Sequence, residues 1–431
     1  MGESGVEHHR RHRVLIVGGG SAGITVAAQL LRARPGLDVA ILEPASIHAY
    51  QSGWILAGAG LLPYAQTERP EADVIPAGAV WIQDSAARFE PEARRVITAT
   101  GATLGYEVLV VATGLKLDWS RIRGLPEALG RHGVISTYSR PHLAASWKAI
   151  RDFRGGTAVF THPATPIKCG GAPQKVMYLA DDIFQASSGV GVNARVIFCS
   201  AQAQLYPVEA YNTTVERVVA RRGIEIHLLH NLVEVRADER VAVFEVKGEG
   251  GEPRQEEIRY DLLHVVPPMA APDVIAASPL AIAGPGGWVE VDRLTCQHKR
   301  YGDVFALGDV SSLPTAKSLA AVRGQAPVLV ANLLAQVDGR PLLAHYDGYT
   351  ACPLITSFHD VVMAEFDYSL QPVSSFLVDP TKERWSMFLV ETRVFPWVYW
   401  HRVLKGRLHE SRFLKPFGPL VRALGLARRG T

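Results

Sequence analysis

Apolar residues change their spacing along this chain, and the first change is the sharpest. Val14–Val17 is an unbroken apolar run, which suits a buried strand. A glycine-rich stretch follows. From Ile24 to Leu31 the apolar positions recur as they do on a helix. A second apolar run, Val39–Leu42, reads as a strand and ends at Glu43. Together these predict one βαβ unit. Within its turn Gly18, Gly20 and Gly23 have the spacing G-x-G-x-x-G. Gly18 allows the tight turn, Gly20 lets the backbone approach a pyrophosphate, and Gly23 permits close helix packing. The helix opening at Ser21 offers free N–H groups to phosphates. Glu43 can accept hydrogen bonds from an adenosine ribose. The unit predicts dinucleotide binding.

The strand pattern returns at residues 156–163, GTAVFTHP, and again at ARVIFCS, which carries Cys199. These predict a second βαβ unit. No G-x-G-x-x-G follows its first strand. The chain instead reads Pro163-Ala164-Thr165-Pro166-Ile167-Lys168-Cys169-Gly170-Gly171. Prolines stand where glycines would admit a pyrophosphate, so a nicotinamide site is expected to be lost. Pro173 suits the first residue of a helix over Gln174–Phe184. Cys169 then precedes the positive end of that helix, with Lys168 and Lys175 nearby. Such surroundings favour thiolate; the alternative is a small residue filling a turn. Residues 301–322, YGDVFALGDVSSLPTAKSLAAV, have the form of a strand ending in Gly-Asp, a loop and a helix.

The bulk numbers narrow the class. A chain of 431 residues suggests two or three domains. Apolar residues at 48% and charged residues at 20% describe a globular protein. A net charge of +3 gives no reason to expect nucleic acid. From Arg384 onward, however, Lys and Arg greatly outnumber the two acids, Glu391 and Glu410, and aromatics are interleaved with them. That end suits a membrane surface and is too charged to span one. Pro396 is expected to divide it into two amphipathic segments. MGESGVEHHRRHR runs into the first strand without the apolar stretch of a secretory signal. The four cysteines, Cys169, Cys199, Cys296 and Cys352, are too few for a disulfide framework. They contain no CxxC and no Cys/His metal spacing, so no metal site is expected. Cys199 reads as core and Cys296 as a solvent-side bystander. The histidines His48, His162, His264 and His359 have no spacing that singles one out.

Residues 301–322 resemble the second FAD motif of the two-dinucleotide-domain flavoproteins, the glutathione-reductase-like superfamily. YEVLVVATG, residues 106–114, resembles that superfamily's ATG segment. The resemblance implies that Asp309 holds the ribityl chain and that Thr113 and Gly114 approach the same flavin. A closer resemblance rests on TPIKCGGAPQKVMYLADD, LLHVVPPMAAPDV, YDGYTACPLIT and VMAEFDY. These blocks are similar to sulfide:quinone oxidoreductases of the mitochondrial type, from Val14 to about Leu404. The implied fold is α/β, with two Rossmann-like domains and a C-terminal membrane-attachment region. Residues 1–130 and 290–345 would bind FAD, residues 131–289 would form the second Rossmann-like domain, and residues 346–431 would attach to the membrane.

The same resemblance implies the chemistry. Cys169 and Cys352 form a redox disulfide that hydrogen sulfide attacks. Cys169 keeps the added sulfur as a persulfide and Cys352 faces the flavin. Electrons pass to ubiquinone, and an unidentified acceptor removes the sulfane sulfur. Lys317 lies near the flavin's pyrimidine edge, and Gln51 lies where the family approaches the ring. Phe358, Phe366, Phe388 and Phe395 are candidates for a quinone route. The expected setting is the surface of a bacterial inner membrane, with a homo-oligomer possible. Two competing readings are a type II NADH:quinone dehydrogenase, which needs a second G-x-G-x-x-G, and a redox-sensing flavoprotein. A third, flavocytochrome c sulfide dehydrogenase, needs an export signal.

Overall fold

Residues 10–186, 193–248 and 253–407 are described by the computed structural model. The first apolar run becomes Arg10–Val17 (β1), flanked in parallel by Val39–Leu42 (β2) and Thr103–Val111 (β3). A strand covered on both faces takes apolar residues at consecutive positions, and Val14–Val17 are all buried. Ala79–Ile82 extends the parallel sheet beyond β2. The far edge of β3 is shared. Its first part pairs with an antiparallel hairpin, Ala86–Glu90 and Arg95–Thr98. Its last part pairs in parallel with Val304–Ala306. The chain therefore leaves this sheet after β3 and re-enters it much later. The crossover helix Ser21–Ala33 (α1) packs against the helix Leu319–Val337.

The excursion builds the second parallel sheet. Its order is Val134–Ile135, Leu262–His264, Gly156–His162 (β4), Ala194–Ser200 (β5) and Glu225–Leu228 (β6). Helix Ala172–Ala186 (α2) joins β4 to β5, and Glu209–Arg222 joins β5 to β6. Pro173 sits in the first turn of α2, as its missing N–H allows. A three-stranded antiparallel sheet, His230–Arg236, Val241–Val246 and Arg254–Arg259, follows β6.

Two expectations change. Cys296 is fully buried in the core beneath Val304–Ala306, its carbonyl accepting the Ala306 N–H at 3.0 Å. It is not on the solvent side; burial pushes its thiol up to about 12. Pro396 does not divide the C-terminal segment. The helical run is continuous from Trp385 to Val403, with π-type turns at Val390–Val394 and Tyr399–Val403 on either side of the proline. A shift to i→i+5 bonding moves the ladder past the absent proline N–H. The rest of the expected amphipathic end, residues 408–431, lies outside the described residues. Among the described residues no helix is long and apolar enough to cross a membrane.

Candidate active site

Gly18, at φ +107°, closes the turn after β1; a Cβ there would lie 2.4 Å from the Ala112 carbonyl oxygen. At Gly23 a Cβ would lie 1.9 Å from the Gly18 oxygen, so α1 can lean on the turn only without one. Next to Gly20 and Gly114 a Cβ would meet nothing within 4 Å, so both border open space beyond the ends of β1 and β3. Glu43 is drawn to the turn: its Oε2 accepts the Gly19 N–H and its Oε1 the Ala45 N–H, each at 2.7 Å. Burial raises its pKa and those two bonds oppose the rise. Thr113 Oγ1 is buried with no hydrogen-bond partner.

Re-entry at Val304–Ala306 delivers Asp309, whose carboxyl is raised by burial. Lys317 Nζ donates to the carbonyls of Asp309 (2.6 Å) and Ser311 (3.0 Å) and stands 3.7 Å from the Trp288 ring centroid. Burial brings its pKa down to about 8, against the pull of Asp309. An open glycine turn, an orphaned threonine hydroxyl and a half-buried acid beside a buried lysine fit a flavin. The Ser21 hydroxyl meets Tyr399 Oη at 2.8 Å, which ties α1 to the C-terminal run.

The loop after β4 runs back alongside this segment. Lys168 bridges Lys317 in β fashion, and the Cys169 N–H donates to the Lys317 carbonyl at 2.8 Å. Cys169 adopts φ +55°, a left-handed conformation that costs a non-glycine residue roughly 1–2 kcal/mol. Cys352 arrives from the far side, its N–H donating to the Ala364 carbonyl at 2.8 Å. The two sulfurs lie 3.0 Å apart, and the Gly171 N–H just ahead of α2 donates to Cys352 Sγ at 3.0 Å.

The hydrogen bond from Cys352 holds the Cys169 thiol down, to about 6, against burial; Lys175 lowers it further. That same bond, then burial, pushes Cys352 well up. One proton is thus shared, and charge rests on Cys169. Lys175 Nζ is buried 3.8 Å from Glu391 Oε1, and burial raises the Glu391 carboxyl. On the other side Lys168 Nζ donates to Gln51 Oε1 at 2.6 Å and faces the rings of Trp54 and Tyr138. Burial lowers the Lys168 pKa to about 8. Gln51 therefore reaches the cysteine loop through Lys168.

Of the four phenylalanines, Phe358, Phe388 and Phe395 gather on one apolar cluster with Trp54 and Val176. Phe366 lies apart, edge-on to Tyr206 at 6.2 Å. Cys199 is core, and burial raises its thiol. Two further features were not foreseen from sequence. One is Glu391, whose only signal was being one of two acids in a basic, aromatic stretch. The other is a buried chain in which Tyr399 Oη meets His48 Nε2 at 2.6 Å and His48 Nδ1 meets Glu71 Oε2 at 3.2 Å. Nothing in local spacing marks it.

A profile of the pyridine nucleotide-disulphide oxidoreductase family matches residues 12–148. The mitochondrial sulfide:quinone oxidoreductase of Mus musculus is 40% identical over 404 residues, covering 94% of this chain and 89% of that protein. That of Dictyostelium discoideum is 42% identical over 397 residues, covering 92% and 86%. The X-ray structure of the sulfide:quinone oxidoreductase from Aquifex aeolicus superposes with a TM-score of 0.78 at 17% identity, covering 97% of this chain and 96% of that one. At that identity the likeness is one of fold. The two closer relatives are named as mitochondrial, which gives no support to the bacterial inner membrane expected from sequence.

Proposed function

The chain belongs to the sulfide:quinone oxidoreductase family, and from that we propose how its own residues oxidise sulfide and hand two electrons to a quinone. The observation that carries the reading is the 3.0 Å approach of Cys169 and Cys352, which come from segments remote in sequence. In the oxidised enzyme the two are joined. Hydrosulfide attacks Cys169 Sγ: a new S–S bond forms, the Cys169–Cys352 bond breaks, and its electron pair leaves on Cys352. With Cys169 capped as a persulfide, the Gly171 N–H and the Lys175 charge remain to support the Cys352 thiolate. Transfer of the outer sulfur to a nucleophilic acceptor returns Cys169 as a thiolate, the form its surroundings favour.

The flavin is FAD, held by the Gly18–Gly20 turn, Glu43, Thr113, Gly114, Asp309 and Lys317. When bound, it would supply the two-electron redox chemistry between the cysteine sulfurs and the quinone. No nicotinamide is needed, and β4 runs into Pro163 where such a site would begin. The quinone is of the ubiquinone class and enters by way of Phe358, Phe388 and Phe395. The outer face of the C-terminal run exposes Trp385, Leu389, Val394 and Trp397 beside Arg393 and Arg402. Such a face lies in a membrane surface and opens this route to the lipid. Residues 1–130 and 290–345 are assigned to the FAD unit, 131–289 to the unit bearing Cys169, and 346–431 to attachment.

Anaerobic titration with sulfide, followed by flavin absorbance, tests the mechanism. Sulfide bleaches the parent and NADH does not, whereas Cys169→Ser and Cys352→Ser lose the sulfide response. Reduction of both variants at the parental rate would sink it.

A further inference from the structure

Away from the cysteine pair, the described residues bring together a second set of side chains that no step above uses. His227 is on β6, His230 opens the next strand, and Glu256 lies on Arg254–Arg259. Each can offer one ligand atom, and the three atoms all lie within 4.8 Å of one another. Glu256 Oε1 is 3.8 Å from His227 Nδ1, and Glu256 Oε2 is 3.4 Å from His230 Nε2.

The placement of the ring nitrogens suits ligands. His230 Nδ1–H donates to the Leu228 carbonyl at 2.7 Å, which turns Nε2 towards Glu256 Oε2. His230 is 9% exposed, and Nε2, although aimed at the cluster, has no hydrogen-bond partner. A backbone carbonyl that holds one ring nitrogen, leaving the other to ligate, is the arrangement that orients metal-bound histidines. The two imidazole rings stand 5.1 Å apart at 67°, edge to face, rather than stacked. Arg254 Nη2, 3.0 Å from Glu256 Oε2, is the competing cation, and it leaves Oε1 free.

We propose that His227, His230 and Glu256 bind a divalent transition-metal cation of the imidazole-preferring class, such as zinc, with the remaining position left to water. Two imidazoles and a carboxylate make a suitable donor set for such an ion. The ion would tie β6 to the antiparallel sheet beside it. Cysteine and histidine spacing did not reveal the site because the carboxylate comes from a strand two connections further on.

The test is titration of the flavin-loaded full chain with Zn²⁺, and with Co²⁺ for its visible ligand-field bands. Cys169→Ser and Cys352→Ser are present in every arm, so that the thiols take no metal. The histidines at the chain's start, His8 and His9, are also common to every arm. The proposal expects one equivalent whose affinity falls at least about tenfold in His230→Ala and in Glu256→Gln, with flavin content unchanged. Should His230→Ala lose its flavin, Glu256→Gln, whose side chain is partly exposed, decides alone. Zinc stoichiometry and affinity unaltered by these substitutions, or no zinc bound by the parent, overturns it.

Discussion

Charge on the Cys169 sulfur depends on groups that converge only in three dimensions. Lys175 follows it on α2, Glu391 holds Lys175 from the C-terminal run, and Cys352 supplies the hydrogen bond. The thiol is depressed, so its thiolate is present above the folded pKa and lost as pH falls through it, near about 6. Alkylation of the reduced protein at Cys169 should follow that midpoint. Lys175→Met removes a buried positive charge, so the midpoint moves to higher pH, by about one to three pH units. Mass-spectrometric alkylation rates at Cys169 across pH give the answer; an unmoved midpoint would show that Lys175 does not tune the thiol.

The C-terminal helical run is held to the glycine turn by a few polar contacts. Tyr399 Oη joins Ser21 Oγ and His48 Nε2, Tyr399 stacks on Tyr50 at 4.3 Å, and the Trp400 indole N–H donates to the Gln66 carbonyl at 3.0 Å. Tyr399→Phe keeps the ring and strands two buried polar atoms, a loss of about 1–3 kcal/mol. Because Ser21 opens α1 at the turn, the variant should also release its flavin faster than the parent. Thermal unfolding and flavin fluorescence after dialysis measure the two effects. A parental Tm with parental retention would mean the network is dispensable.

Considered as a whole, the molecule joins two parallel sheets, a cysteine contact between the loop after β4 and the segment after Thr350–Ala351, and an exposed aromatic face at one end. Trp385 and Trp397 are 61% and 55% exposed, so replacing both with serine should barely alter Tm. Binding to anionic vesicles, read by co-sedimentation, should weaken at least about tenfold. Undiminished sedimentation would remove that face from the attachment surface. Sequence by itself determined what is written in consecutive residues. The run Val14–Val17, the glycines after it and Glu43 specify a strand, turn and helix through local sterics and burial. The prolines before Cys169 likewise stand where the glycines of a nicotinamide turn would be. The family blocks named both cysteines. Only the tertiary structure decided that Cys296 is buried, that the helix passes through Pro396, that Gln51 bonds to Lys168, and that Glu391 and Tyr399 reach the site. Those outcomes depend on which remote strands share an edge and which helix faces meet. No local period encodes such contacts, because burial and pairing are properties of the packed chain rather than of neighbouring residues.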